Sequence, residues 1–365
     1  MMTLPQVLDA EKLETDEKRR LFIGAYGFEK RSFGGWVNYQ NKGVLSYALV
    51  FKYEHPKGRN RIKELRMALK RLGVALPVNV CYDTIAPHNI EDKIYAKLIE
   101  LLSKTDEVIL DISGMTKLLI LICICKLEEF HGTVRIVYSE PNNYPPTKED
   151  YEKNKGKMEI LAKYPSSGSE SIIRTRCLSS IRMQGQPVTL IAFTSFNEQL
   201  IRHMLGTISP HRLILINGRP PREEYSWREH ATQEIHKKLI MEDYQADNPL
   251  DKTGKLVHVT STLEYSETIN KINAIYKQFG MHERIMCIAT GSKMQTVGLA
   301  FSKIAHPDIH VEYPTPDSYY EKGLDAEVRK VYEIKIPYFS KFLEELKNVQ
   351  EEVLQIDTDK YQDVV

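Results

Sequence analysis

Two short turns in this sequence carry residue types suited to gripping an anion. The first reads Asp111-Ile112-Ser113-Gly114-Met115-Thr116-Lys117 and the second Thr290-Gly291-Ser292-Lys293. Each follows a strand-like apolar run and precedes a helix-like one, so the free N–H groups of a helix start converge there. In the first turn Ser113 and Thr116 offer hydroxyls, Gly114 lets a phosphate approach the backbone, and Lys117 adds charge beside the positive end of the helix dipole. The second turn repeats the set one residue shorter. Ser113 or Thr290 would serve equally well as the N-cap of the following helix, but two such exits in one chain favour a ligand over capping alone. Neither turn contains Gly-x-x-x-x-Gly-Lys-Ser/Thr, so a P-loop ATPase is not indicated.

Two further exits place an aromatic ring beside polar groups: Tyr26-Gly27-Phe28-Glu29-Lys30-Arg31 and Ser195-Phe196-Asn197-Glu198. A base stacked on Phe28 or Phe196 would gain roughly 1 to 3 kcal/mol, with its edge read by Glu29 or Asn197. Both rings would also fit as core residues at the start of a helix. Asn217 and Arg219 are weaker candidates of the same kind. His230 with Glu234, and His306 with His310, have a four-residue spacing, but two ligands do not make a metal centre. No metal site, no cofactor and no Gly-x-Ser-x-Gly nucleophile turn is expected.

These turns need strands to aim them. With 365 residues, 42% hydrophobic and 27% charged, the chain has enough apolar material for about two domains. A formal net charge of +1 gives no global field for a polyanion, so duplex nucleic acid is not an indicated partner. The longest apolar run, Leu118 to Cys125, is shorter than a membrane span. No secretory signal stands at the N-terminus, which points to a cytoplasmic protein without membrane contact. Five cysteines with no Cys-x-x-Cys pair read as buried free thiols.

Strand-like runs at Arg20–Tyr26, Ser46–Tyr53, Val78–Asp83, Glu107–Ser113 and Thr133–Pro141 alternate with helix-like stretches at Arg59–Leu72, Asn89–Ser103 and Lys117–Phe130. The pattern restarts at Val188–Ser195, Arg212–Pro220, Lys255–Thr262, Arg284–Ser292 and Ile309–Pro316. An α/β chain of two tandem Rossmann-like, doubly wound parallel sheets related by internal duplication follows. Residues 1–19 form an N-terminal extension, 20–141 and 188–316 the two halves, 142–187 a connector, and 317–365 a C-terminal strand and docking helix. The connector reads as loop, except that Ser171 to Met183 alternates enough for an edge strand or short helix. Its Arg174, Arg176 and Arg182 form a small basic cluster. Phe339, Phe342, Leu343, Leu346, Val349 and Val353 share one helical face. Leu118 to Cys125 has no polar face and must be buried all round. The segment Thr296–Phe301, with Gly298 and Ala300, would supply its second apolar surface and bring the two turns to one cleft.

Asp111-x-Ser113-x-x-x-Lys117 resembles the strand-four motif of CARF domains, the CRISPR-associated Rossmann fold: an Asp or Asn, a Ser or Thr, and a Lys or Arg. Two such units in one chain also resemble SAVED domains. The resemblance covers residues 20 to 141 well and 188 to 316 less well. Ile288 stands where the acid or Asn is expected and Met294 where the basic residue would fall, with Lys293 as a substitute. The resemblance implies a receptor in prokaryotic antiviral defence that binds cyclic oligoadenylate or a related nucleotide in a cleft between the halves. Its partner would be an effector protein or a second copy of the chain. A ring nuclease or other nucleotide-processing enzyme using the same cleft, and an inert scaffold of a defence complex, remain the alternatives.

Overall fold

The computed structural model describes residues 3–27, 29–54, 61–83, 89–161, 166–240, 256–319 and 327–348. The chain divides into two compact units: Pro5–Pro145 with Glu321–Phe342, and Pro146–Tyr320 with Met1–Leu4 and Leu343–Val365.

The first unit begins with β1 (Leu8–Asp9), β2 (Arg20–Ala25), α1 (Arg31–Gly34), α2 (Trp36–Tyr39), β3 (Tyr47–Tyr53) and α3 (Ile62–Arg71). It continues through β4 (Val78–Tyr82), α4 (Ile90–Leu102), β5 (Glu107–Asp111), α5 (Lys117–Lys126) and β6 (Thr133–Pro141). The second unit comprises α6 (Lys148–Lys153), α7 (Met158–Leu161), β7 (Ser166–Ser167), β8 (Ser171–Ile173), β9 (Val188–Phe193), α8 (Gln199–Ile208) and β10 (Arg212–Arg219). After these come α9 (Trp227–Lys238), β11 (Val259–Ser261), α10 (Tyr265–Phe279), β12 (Arg284–Ile288), α11 (Lys293–Ala305), β13 (His310–Thr315) and β14 (Ser318–Tyr319). Finally β15 (Val328–Ile336) returns to the first unit.

Within the first sheet the order is β1-β15-β6-β5-β2-β3-β4, and within the second β11-β10-β9-β12-β13-β8. Five consecutive strands of each are parallel and, numbered along the chain among themselves, share the order third, second, first, fourth, fifth. These are two Rossmann-like doubly wound halves with the same winding. Antiparallel strands close one edge of each sheet, β15 beside β6 and β8 beside β13. The strand expected in the C-terminal region is therefore β15, and the edge strand expected in the connector is β8.

Strand β5 is buried throughout, and the apolar run after it forms a helix in which every residue from Leu118 to Ile124 is inaccessible. A parallel sheet covered on both faces requires such continuous hydrophobic stretches. In the second unit Gly298 admits α10: a Cβ there would lie 2.6 Å from the Tyr265 carbonyl oxygen and 2.7 Å from Thr268 Cβ. Part of the connector also departs from a loop reading, since Tyr151 and Leu161 join an apolar cluster with Phe196, Ala231 and Ile235. Tyr151 stacks on Trp227 at 5.0 Å, an anchor that spacing alone does not reveal.

None of the five cysteines is in a disulfide; Cys123 and Cys287 are buried as expected, but Cys125 and Cys177 are half-buried and Cys81, on the outward side of β4, is exposed. Residues 339–348 are helical, with Phe339, Phe342, Leu343 and Leu346 buried on the anticipated face. Val349 and Val353 lie outside the described residues. Among the described residues no helix is long and apolar enough to cross a membrane.

Candidate functional site

In each sheet the chain winds from its first strand to one side and then returns to the other side of that same strand. The switch points lie between β2 and β5 and between β9 and β12, where diverging connections open a crevice at the carboxyl ends of the strands. All four exits singled out in the sequence leave from these strands.

At the first switch point Gly27 and Gly114 face each other. A Cβ on Gly27 would lie 3.3 Å from Gly114 Cα and 2.7 Å from Ser32 Oγ, and one on Gly114 would lie 2.7 Å from Ser32 Cβ and 3.0 Å from the Ala25 carbonyl oxygen. Only glycine fits at either position. Tyr53, at the end of β3, braces the turn by donating its hydroxyl proton to the Gly114 carbonyl (2.8 Å) and accepting the Thr116 N–H (3.0 Å).

The hydroxyl of Ser113 is buried and accepts the Ser139 N–H from β6 (2.8 Å), while Asp111 Oδ1 accepts the Ser113 N–H (2.9 Å). Ser113 thus fastens strand to strand and does not cap α5. The cap is Thr116, whose side chain accepts the Leu119 N–H at 3.4 Å. Lys117 follows in the first helical turn. Burial pushes its ammonium down to about 8, since taking the charged form out of water is unfavourable.

Beside this turn Glu29 and Arg31 form a half-buried ion pair. Arg31 also donates to the Tyr138 hydroxyl (3.2 Å), its guanidinium lies 5.8 Å from the Tyr138 ring centre, and the Tyr138 and Tyr144 hydroxyls bond at 3.1 Å. Burial alone would lower the Arg31 pKa, but the adjoining Glu29 charge outweighs it and raises the value. Tyr26 is buried at the end of β2, with its hydroxyl 3.4 Å from Arg66 Nε. Phe28 lies outside the described residues.

In the second unit Thr290 grips the first strand: its hydroxyl donates to the Phe193 carbonyl (2.6 Å) and accepts the Phe193 N–H (3.0 Å). The N-cap of α11 is Ser292, in a capping box with Gln295 that joins Gln295 N–H to Ser292 Oγ (3.0 Å) and Ser292 N–H to Gln295 Oε1 (2.7 Å). Gly291 is sterically required, because a Cβ would come within 2.3 Å of Gln295 Oε1 and 2.8 Å of Phe193 Cβ. Lys293 opens the helix half-buried.

The aromatic at the second exit is committed to packing. Phe196 is 3% exposed, meets Trp227 edge-on at 6.2 Å and lies under the Arg228 guanidinium at 4.6 Å. Base stacking on its face is therefore unavailable in this conformation. Ser195 Oγ donates to the Asn197 carbonyl (3.2 Å), and buried Asn197 donates from Nδ2 to the Gly168 carbonyl (2.9 Å).

Asn217 is a structural hub that accepts the Gly218 N–H (3.0 Å) and the Thr232 hydroxyl (2.8 Å) and donates to the Glu229 carbonyl (2.8 Å). Arg219 forms a two-pronged bond with Glu267 at 2.7 and 2.9 Å. The histidines set aside as metal ligands have other tasks: His306 stacks on Tyr276 at 3.8 Å, and His310 bonds Glu312 at 3.0 Å. Arg174, from the connector cluster, pairs with that same buried Glu312 at 2.5 Å.

Tyr53, Ser32 and Tyr138 are contributors that motif reading missed. A tyrosine ending the second strand of a half was the one available signal, because contacts across strands have no mark in linear spacing.

No family model and no curated protein matches the chain. Among solved structures it is similar to a universal stress protein from Archaeoglobus fulgidus DSM 4304, at 11% identity and a TM-score of 0.23, over 81% of this chain and 96% of that one. It is also similar to Can2 from Sulfobacillus thermosulfidooxidans in complex with cyclic tetra-adenylate, at 12% identity and a TM-score of 0.25, over 80% of this chain and 95% of that one. Neither likeness bears on function at such low scores.

Proposed function

We propose that the chain is a receptor for a cyclic oligonucleotide or related nucleotide second messenger, acting in antiviral defence, with its phosphates received at the switch-point turns. The observation that carries this reading is the opposed pair Gly27 and Gly114 at the carboxyl end of the first sheet, with Lys117 beside them. The two glycines let the exits of β2 and β5 pack directly against each other, which holds the start of α5 beside the exit of β2, and a lysine kept at a cost in solvation supplies charge at that helix start. The bonds of Thr290 and Ser292 build the corresponding turn in the second unit. Glu29, Arg31, Ser195 and Asn197 line the adjoining exits and are assigned to the base and ribose.

A panel of cyclic and linear oligonucleotides, followed by thermal shift and by chromatography of the ligand, tests the assignment. A receptor gives a concentration-dependent rise in melting temperature with the ligand recovered intact. Cleaved ligand would make the chain a ring-opening enzyme. The absence of any shift across the panel would contradict nucleotide binding.

A further inference from the structure

Tyr53 ends β3, and β2 lies between β3 and β5 in the sheet, yet its side chain reaches the turn that follows β5. The Thr116 N–H can only donate, so the phenol oxygen accepts it at 3.0 Å and the phenol proton goes to the Gly114 carbonyl at 2.8 Å. The direction of both bonds is thereby fixed. The ring is set from the edge of the sheet, because Tyr82 is its register partner on β4 and the two rings meet edge-on at 5.6 Å.

The bonds around this turn leave a short remainder. The Ser113 N–H is taken by Asp111 Oδ1 (2.9 Å), the Met115 N–H by the Ile112 carbonyl (3.1 Å) and the Leu119 N–H by Thr116 Oγ1 (3.4 Å). Among the described residues no acceptor meets the N–H of Gly114 or of Leu118, and Leu118 is wholly buried. A buried helix start with open donors is uncommon, because such groups find a side chain, a water or a ligand. The planar peptide unit between Gly114 and Met115 is held at both ends, its carbonyl by Tyr53 and its N–H by Ile112. Deprived of the phenol proton, that carbonyl would present unneutralised negative charge to an incoming anion.

We infer that Tyr53 is the positioning residue of the first turn: its hydroxyl turns the Gly114 carbonyl toward β3 and away from the ligand, leaving the Gly114 and Leu118 N–H groups to receive an anionic oxygen. The inference rests on the nucleotide-receptor reading and adds to it the residue that sets the turn before the ligand arrives. Neighbouring backbone N–H groups held in one orientation make an anion-binding concavity. Tyr53 touches no part of the ligand in this account. It acts through the backbone of Gly114 and Thr116, so that binding need not first pay for ordering the turn.

The test measures binding of cyclic tetra-adenylate to the full chain by calorimetry. Tyr53→Phe removes the hydroxyl and keeps the ring against Tyr82, and it should weaken binding by about ten-fold at temperatures where the variant is folded. In the parent chain the Gly114 and Leu118 amide proton resonances should move downfield as the probe binds. A chain with trifluorotyrosine at position 53 keeps ring and hydroxyl but gives up its phenolic proton at a lower pH than tyrosine. Its affinity should match the parent chain while the phenol is protonated and fall to the Tyr53→Phe level once it ionises, with the parent chain at each pH correcting for Lys117. A tyrosine that only braced the fold would give no such pH profile. Unchanged affinity in Tyr53→Phe, unmoved Gly114 and Leu118 resonances, or a trifluorotyrosine chain that follows the parent at every pH overturns the inference and leaves the receptor reading intact. No binding of the probe by the parent chain removes the inference, and the reading falls with it if the rest of the oligonucleotide panel is also silent.

Discussion

Gly27 and Gly114 oppose each other across the gap between β2 and β5, so close that a methyl group on Gly27 would stand 3.3 Å from Gly114 Cα. Gly114→Ala should therefore lower stability by about 1 to 3 kcal/mol through overpacking against Ser32 and Ala25. It should also abolish nucleotide affinity under conditions where the protein is still folded. Urea denaturation and calorimetry on the same preparation check both, and an alanine variant with unchanged affinity would remove the turn from the site.

Lys117 provides a sharper separation of stability from binding. Burial lowers its folded-state pKa from the ordinary lysine value of 10.5 to about 8, so between those values the unfolded chain binds more protons, and this group makes the fold more stable as pH rises. Below pH 8 the buried charge opposes folding. Lys117→Met should thus stabilise the protein at neutral pH, with the gain fading as pH rises from about 8 to 10.5. The same substitution should weaken binding of an anionic nucleotide by roughly 1.5 to 3 kcal/mol, the worth of a charge-assisted bond. Lys293→Ala should cost a similar amount of affinity at the second turn, measured at fixed salt.

Ser113 and Thr116 should respond differently to alanine. Removing the Ser113 hydroxyl strands the buried Ser139 N–H and should cost about 1 to 3 kcal/mol, whereas Thr116→Ala loses a cap worth about 1 kcal/mol. Equal and small losses in thermal unfolding would mean that Ser113 does not tie β5 to β6.

At the second exit, Phe196→Ala should destabilise by about 3 to 5 kcal/mol as a core truncation. Phe196→Leu, which keeps the volume approximately, should retain nucleotide affinity. If the leucine variant folds normally and loses binding, the ring has a direct ligand role that its packing does not display.

A buried charge network locks β15 onto the first sheet. Glu107 accepts from Arg20 and from Arg135, each at 2.7 Å, and Arg135 also donates to Glu333 at 2.8 Å. Burial alone would raise the Glu107 pKa, but the two arginines hold it below its usual value. Its stabilising contribution is full above pH 4.5 and disappears as pH falls through the depressed folded value. Arg135→Met leaves two carboxylates without their shared partner and should cost about 3 to 5 kcal/mol at neutral pH. A variant whose unfolding free energy and acid limb match the parent chain would deny the network that role.

Hydrophobic period made most of the architecture legible. The unbroken apolar character of Leu118–Cys125 demanded burial all round, and the alternation of strand-like with helix-like stretches demanded parallel winding. The site was legible only in part. Gly114, Thr116, Lys117 and Ser292 could be placed because strand exits and helix starts are local features. The caps were displaced by two or three residues because Ser113 and Thr290 find backbone partners on a neighbouring strand, and strand pairing is not local. For the same reason the role of Tyr53 and the Asn197–Gly168 contact were invisible in the linear sequence, and Phe196 could not be assigned to packing until Trp227 and Tyr151 were seen beside it.

Photoaffinity labelling with an azido-adenine analogue of a cyclic oligoadenylate, followed by peptide mapping, asks directly where a nucleotide is held. The switch-point assignment predicts labels on peptides containing residues 26–32, 113–117, 195–197 and 290–293, all suppressed by excess unmodified ligand. Competed labels confined to the amino-terminal ends of the strands, or to the groove lined by Tyr95, Ile99 and Phe130, would contradict it.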